Sequence, residues 1–137
     1  MENLIKYSGN DIGIYVHWPF CISKCHYCCF NSYVMEPPEN FIQKYISNLN
    51  LYKELLFNKN LISVYFGGGT PSLMDIAAIN DILSEINKII PIKNSTEITI
   101  EANPETVSKQ KLFDFKNAGI NRISYGMQSF SDEILLL

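Results

Sequence analysis

Four short β-like runs, each followed by a loop and then by helix-like sequence, set the class of this 137-residue chain. The runs are Ile12 to Trp18, Leu61 to Phe66, Glu97 to Glu101 and Arg122 to Tyr125. Ile14-Tyr15-Val16 and Val64-Tyr65-Phe66 are continuously apolar or aromatic, which suits strands covered on both faces. Between them, Phe41, Tyr45, Leu49, Tyr52 and Leu56 draw one stripe along a helix. Ile76, Ile79, Leu83, Ile86 and Ile90 draw another, which Pro91 must end because proline cannot continue the hydrogen-bond ladder. Thr106 is the expected N-cap of a third helix with Leu112 and Phe115 on one face and Gly119 just past its end. Ser131-Asp132-Glu133 reads as the cap and acidic first turn of a fourth. Strand–helix alternation of this kind predicts βαβ units, a parallel sheet and an α/β fold.

Strand starts near residues 12, 61, 96 and 121 are separated by 49, 35 and 25 residues. The first interval exceeds a minimal crossover, and the excess is a cysteine-bearing loop plus Asn31 to Glu39. A βαβ unit takes roughly 30 residues, so the length holds about four units and a closed barrel needs more. The chain stops at Leu135-Leu136-Leu137 with no C-cap glycine, basic last turn or following strand, and this predicts truncation. Composition narrows the class further. With 47% hydrophobic and 18% charged residues the chain can build one ordinary core. A net charge of −3 with no basic run argues against a nucleic-acid partner. No apolar stretch reaches the length of a bilayer span, and Met1-Glu2-Asn3 lacks a basic leader, so neither a transmembrane helix nor a secretory signal is expected. The expected address is the cytoplasm.

All four cysteines fall between residues 21 and 29. A disulfide framework would spread them to staple distant segments, and a reducing cytosol would keep them as thiols. Cys21, Cys25 and Cys28 form C-x3-C-x2-C directly after the first strand. Three thiolates on one loop can bind three irons of a [4Fe–4S] cube and leave the fourth without a protein ligand. Loops at the carboxyl ends of parallel strands are also where ligands bind in α/β sheets. A small zinc-binding module is the alternative. It wants four ligands, with Cys29 or His26 as the fourth, although adjacent Cys28 and Cys29 chelate one ion poorly. His17 reads as a packing or hydrogen-bonded histidine rather than a ligand.

Tyr15-Val16-His17-Trp18-Pro19-Phe20-Cys21, followed by Cys25, Tyr27 and Cys28, resembles the signature of radical S-adenosylmethionine (SAM) proteins. More narrowly it resembles the oxygen-independent coproporphyrinogen III oxidase family, including its haem-chaperone branch. The resemblance implies a partial (β/α)6-type barrel, of which residues 1–137 would be the incomplete amino-terminal part, without the family's carboxyl-terminal domain. It implies Cys21, Cys25 and Cys28 as cluster ligands and SAM bound at the open iron.

Three further motifs lie at the ends of successive predicted strands. Gly67-Gly68-Gly69-Thr70 follows the second; glycines let the backbone approach a ligand and offer N–H groups to a carboxylate or phosphate. A P-loop is excluded because no lysine follows, and a plain tight turn is the alternative. Glu101 closes the third strand, where a carboxylate must meet a cation, a donor or solvent. Gln128 follows the fourth, and its amide could serve ribose hydroxyls or a carboxylate. The resemblance makes Gly68, Gly69, Thr70, Glu101, Gln128, Tyr15 and Tyr27 SAM contacts.

Two positions separate the branches. The oxidase branch carries another cysteine two residues after the third ligand, where this chain has Phe30. The chaperone branch reads Cys-Asp-Phe-Asn-Ser, matched by Cys28-Cys29-Phe30-Asn31-Ser32 except that Cys29 replaces the acid. The chaperone branch implies haem as cargo. The oxidase branch implies a porphyrinogen substrate and radical oxidative decarboxylation of its propionates. Either implies an electron donor such as a flavodoxin or ferredoxin. A third reading is a truncated, inactive polypeptide, because a partial barrel leaves a radical site open to solvent.

Overall fold

A computed structural model describes residues 9–136. The start at Met1-Glu2-Asn3 and the terminal Leu137 lie outside the described residues. Strand β1 (Asp11–Trp18) leads into a minimal parallel pair, β2 (Phe20–Cys21) and β3 (Tyr33–Val34). Helices α1 (Phe41–Leu51) and α2 (Lys53–Leu56) precede β4 (Asn60–Gly68). A 3-10 turn at Pro71–Leu73 and helix α3 (Ile76–Ile89) lead to β5 (Glu97–Ala102). A second 3-10 turn at Pro104–Thr106, helix α4 (Lys109–Asn117), β6 (Arg122–Tyr125) and the short α5 (Asp132–Leu135) complete the order. The main sheet runs β1-β4-β5-β6 and is parallel throughout, as the βα alternation predicts. Among the described residues no helix is long and apolar enough to cross a membrane.

The sheet register sorts side chains into two faces, because successive residues of a strand point to opposite sides. Ile14 pairs with Val64 and Val64 with Ile98, while Val16, Phe66, Ile100 and Ile123 align one row further along. This face packs on Ile79, Leu83 and Ile86 of α3 and Phe115 of α4, and together they form the core. Burying each such side chain stabilises the fold by about 1.5–3 kcal/mol relative to exposure. The opposite face carries Tyr15, Tyr65, Thr99 and Arg122 in register. The polar face therefore begins one residue away from the core.

Helix boundaries depart from the expected stripes in two places. The stripe from Phe41 to Leu56 is not one helix: Tyr52 leaves helical geometry at φ −95° and ψ 1°, separating α1 from α2. Phe41, Tyr45 and Leu49 pack against the core, whereas Tyr52 is half exposed and Leu51 lies largely in solvent. Packing supplies most of a helix's stability in a protein, and here it ends with Leu49. Likewise, Thr106 does not cap α4. It closes the preceding 3-10 turn, and Ser108 is the cap, its Oγ accepting from the Lys111 N–H at 3.1 Å. Ser131 stands at the N-cap of α5 without a side-chain capping bond. Two other expectations match. Ile90 turns extended (φ −141°, ψ 122°), as a residue before proline must, and Gly119 adopts φ +100° just past α4.

Candidate cofactor site

The long first crossover is organised around its cysteines. The β2–β3 pair ties Phe20 to Tyr33 and Cys21 to Val34, closing the loop at its base. Inside it, the Cys28 N–H donates to the Cys25 carbonyl at 3.0 Å, making a tight turn between two of the thiols. Lys24 spans the loop, its Nζ donating to the carbonyls of Phe30 and Ser32. His17 fastens the far end through a 3.0 Å bond between Nε2 and the Asn31 carbonyl. A carbonyl only accepts, so Nε2 donates there, while Nδ1 bonds the Tyr15 hydroxyl at 3.3 Å. His17 is thus a hydrogen-bonded strut between the first strand and the loop.

The glycine segment docks directly beneath this loop. Gly69 N–H donates to the Trp18 carbonyl and Thr70 N–H to that of Phe20. A Cβ on Gly69 would sit 2.9 Å from the Cys21 sulfur, and one on Gly68 would meet the His17 ring at 2.7 Å. Gly68 also adopts φ +120°, a region open to glycine. The third donor, Gly68 N–H, bonds Glu101 Oε2 at 3.0 Å. These amides therefore bond within the protein here, as the plain tight-turn alternative expects. All three are consumed by the protein, and the close approach the glycines permit is to Cys21 and His17.

Glu101 is half-buried and its carboxylate is satisfied twice, by Gly68 N–H and by the Tyr65 hydroxyl on Oε1 at 2.8 Å. It meets donors, as a strand-end carboxylate should. Burial and the bond to Glu101 push the Tyr65 phenol above its ordinary pKa. Tyr15 is shifted the same way by burial and by the charge on Glu101. Tyr27 is raised chiefly by its hydrogen bond with the Cys25 thiol. All three phenols thus stay protonated as donors near neutral pH.

These elements enclose one cleft of about 430 Å³ at the carboxyl ends of β4, β5 and β6. Cys21, Cys25 and Cys28 line it together with Tyr27, Gly68, Gly69, Thr70, Glu101 and Gln128. Of the site residues expected from sequence only Tyr15 lies elsewhere. It lines a neighbouring apolar groove against α1, where its ring stacks on Tyr65 at 6.0 Å. Cys29 and His26 are exposed and do not line the cleft. Gln128 adopts φ 58°, rare for a residue with a side chain. Sequence reading overlooked Tyr65, whose place inside an apolar run hid it. The alternation of strand faces was the available signal, since Tyr65 and Phe66 must point to opposite sides.

The donor set fits an iron–sulfur cluster, with three thiols from one loop on one cleft wall and the fourth, Cys29, exposed and off the cleft. A lone zinc instead draws its sulfurs to about 2.3 Å from a single centre. Among the described residues no three His, Cys, Asp or Glu side chains gather closely enough to share one metal ion. The cleft also presents a carboxylate, an amide and hydroxyls, which suit a ligand with cationic and hydroxyl donors.

Comparison with known proteins points the same way. The family model for the Radical SAM superfamily matches residues 15–137. The chain is 42% identical over 127 residues to the heme chaperone HemW of Buchnera aphidicola subsp. Schizaphis graminum, covering 90% of this chain and 34% of that protein. It is 37% identical to HemW of Escherichia coli, with the same coverage. It is also 35% identical to the mitochondrial radical S-adenosyl methionine domain-containing protein 1 of Danio rerio, covering 91% of this chain and 29% of that one. Among solved structures it superposes on E. coli coproporphyrinogen III oxidase (HemN), described as a radical SAM enzyme, with a TM-score of 0.80 and 26% identity. That match covers 96% of this chain and 31% of the other. The chain spans about a third of the length of the curated relatives it matches.

Proposed function

The chain belongs to the Radical SAM superfamily, and from that footing we propose that its cleft binds a [4Fe–4S] cluster and SAM within a protein of the haem-chaperone branch. Cys21, Cys25 and Cys28 hold the cluster. Tyr27, Gly68, Gly69, Thr70, Glu101 and Gln128 hold SAM, with Tyr15 acting from behind through His17 and Tyr65. When bound, the cluster supplies the electron that cleaves the sulfonium of SAM. Residues 1–137 furnish the first four βα units of the radical SAM core domain. Haem is the proposed cargo of the whole protein, a flavodoxin- or ferredoxin-type protein its proposed electron donor, and the cytoplasm, where thiols stay reduced, its proposed address.

One observation carries the reading: the three cysteines of C-x3-C-x2-C share a single cleft with the ends of three parallel strands. Phe30, standing where the oxidase branch carries a cysteine, and the 42% identity to a heme chaperone support the carrier role. A second reading, radical decarboxylation of a porphyrinogen, draws support from the backbone likeness to HemN. In either, the chain's own groups do the positioning. The Glu101 carboxylate accepts from cationic or hydroxyl donors, the Gln128 amide supplies both a donor and acceptor, and the glycines bring the strand end under the cluster loop.

Anaerobic reconstitution with iron and sulfide tests the site. A brown protein whose reduced EPR signal changes on adding SAM is expected, with assembly lost in Cys21→Ala, Cys25→Ala and Cys28→Ala and kept in Cys29→Ala. A colourless protein, or an equal requirement for Cys29, overturns it. Haem titration of the full-length protein then separates carrier from oxidase.

A further inference from the structure

Resting on the SAM reading of this cleft, we propose that Tyr65 is a positioning residue that sets the Glu101 carboxylate for its ligand. Tyr65 does not line the cleft, so it reaches a ligand only through another group. Its hydroxyl donates to Glu101 Oε1 at 2.8 Å while Gly68 N–H takes Oε2 at 3.0 Å. Each carboxylate oxygen is thereby pinned once, on the β4 side. An ionised carboxylate offers about four acceptor sites, so roughly two remain for the cleft. A carboxylate fastened at both oxygens loses little freedom on binding, which is how a rigid acceptor gains affinity.

The surrounding residues hold the tyrosine itself in place. Its ring stacks on Tyr15 with an interplanar angle of 21°, and Tyr15 is in turn hydrogen-bonded to His17. The pair fits because residue 67 is glycine: a Cβ there would lie 2.9 Å from both tyrosine rings. Register adds the reach. Tyr65 pairs with Thr99, so Glu101, two residues on and on the same face, is its diagonal neighbour. The raised phenol pKa keeps the hydroxyl a donor beside the carboxylate.

The test is a double-mutant cycle on SAM affinity in the reconstituted 137-residue chain. Tyr65→Phe keeps the ring and its stacking and removes one hydrogen bond to a charged group, so SAM binding should weaken about tenfold. The EPR signal of the reduced cluster without SAM should match wild type, which shows the fold and cluster intact. In a Glu101→Gln background, Tyr65→Phe should change affinity by less than about twofold, because its route to the ligand is already impaired. Equal affinity of wild type and Tyr65→Phe, or independent losses that add, overturns the proposal. Should wild-type protein carry the cluster but take up no SAM, the site reading fails, and Gly68 amide exchange decides the strut. Faster exchange in Tyr65→Phe upholds the coupling through Glu101, and unchanged exchange refutes it.

Discussion

Gln128 holds its backbone at φ 58° while its side chain lines the cleft. Left-handed geometry costs a residue with a Cβ about 1–2 kcal/mol, and such strain persists at sites where a side chain must be aimed. Gln128→Gly should therefore raise stability by about 1 kcal/mol while weakening SAM binding. Thermal unfolding and SAM titration on the same preparation check both halves, and a variant that loses stability contradicts the strain argument. Gly68 is the converse case. Its φ of +120° and the His17 ring 2.7 Å from any added Cβ make glycine a packing requirement there. The cysteine triad was legible from its spacing, whereas Glu101, Gln128 and the glycines were singled out through the family resemblance. Tyr65 was legible from neither, since an aromatic inside Val64-Tyr65-Phe66 looks like any core residue until the strand's two faces are told apart.

Helix α1 shows how far element-level patterning reaches. Its stripe of Phe41, Tyr45 and Leu49 was legible and packs as expected, but the helix breaks at Tyr52 where the core has nothing further to offer. Tyr45 lies at the middle of that packed face, edge-on to Phe41 at 5.0 Å. Burial pushes its phenol up to about 12. The native state then binds the phenolic proton more tightly than the unfolded chain, so this contribution to stability is complete below pH 10 and lost as pH rises toward about 12. Urea unfolding between pH 9 and about 11.5 should show a steeper decline for wild type than for Tyr45→Phe, which lacks the titrating group. Parallel declines would mean that Tyr45 is not buried as described.

Over the whole molecule, two regions differ in what holds them. The sheet and its helices share a contiguous core in which Val64, Phe66, Ile79, Ile86, Ile100 and Phe115 are fully buried. The cysteine loop has mostly exposed residues between Ile22 and Asn31, and leans on the β2–β3 pair, Lys24 and His17. Stability is not uniform across such a structure, and loops with few buried contacts open first. Stripping iron from the reconstituted protein with a chelator should raise amide exchange in residues 22–34 while β1, β4 and β5 keep their protection. Exchange rising across the sheet as well would show that the cluster supports the whole fold.

The amino-acid order by itself determined the four main strands and the helical segments between them, the parallel sheet they form and the position of three thiols after the first strand. It could do so because turn residues, apolar periods and ligand spacings are local properties of neighbouring residues. Only the tertiary structure decided that the glycine amides are consumed within the protein, that Tyr15 stands behind the cleft, and that Tyr65 reaches Glu101 from the adjacent strand. Those outcomes depend on register and on which face a side chain takes, as between Tyr65 and Glu101, 36 residues apart. No local pattern encodes such a pairing, because it is settled when the sheet closes against its helices.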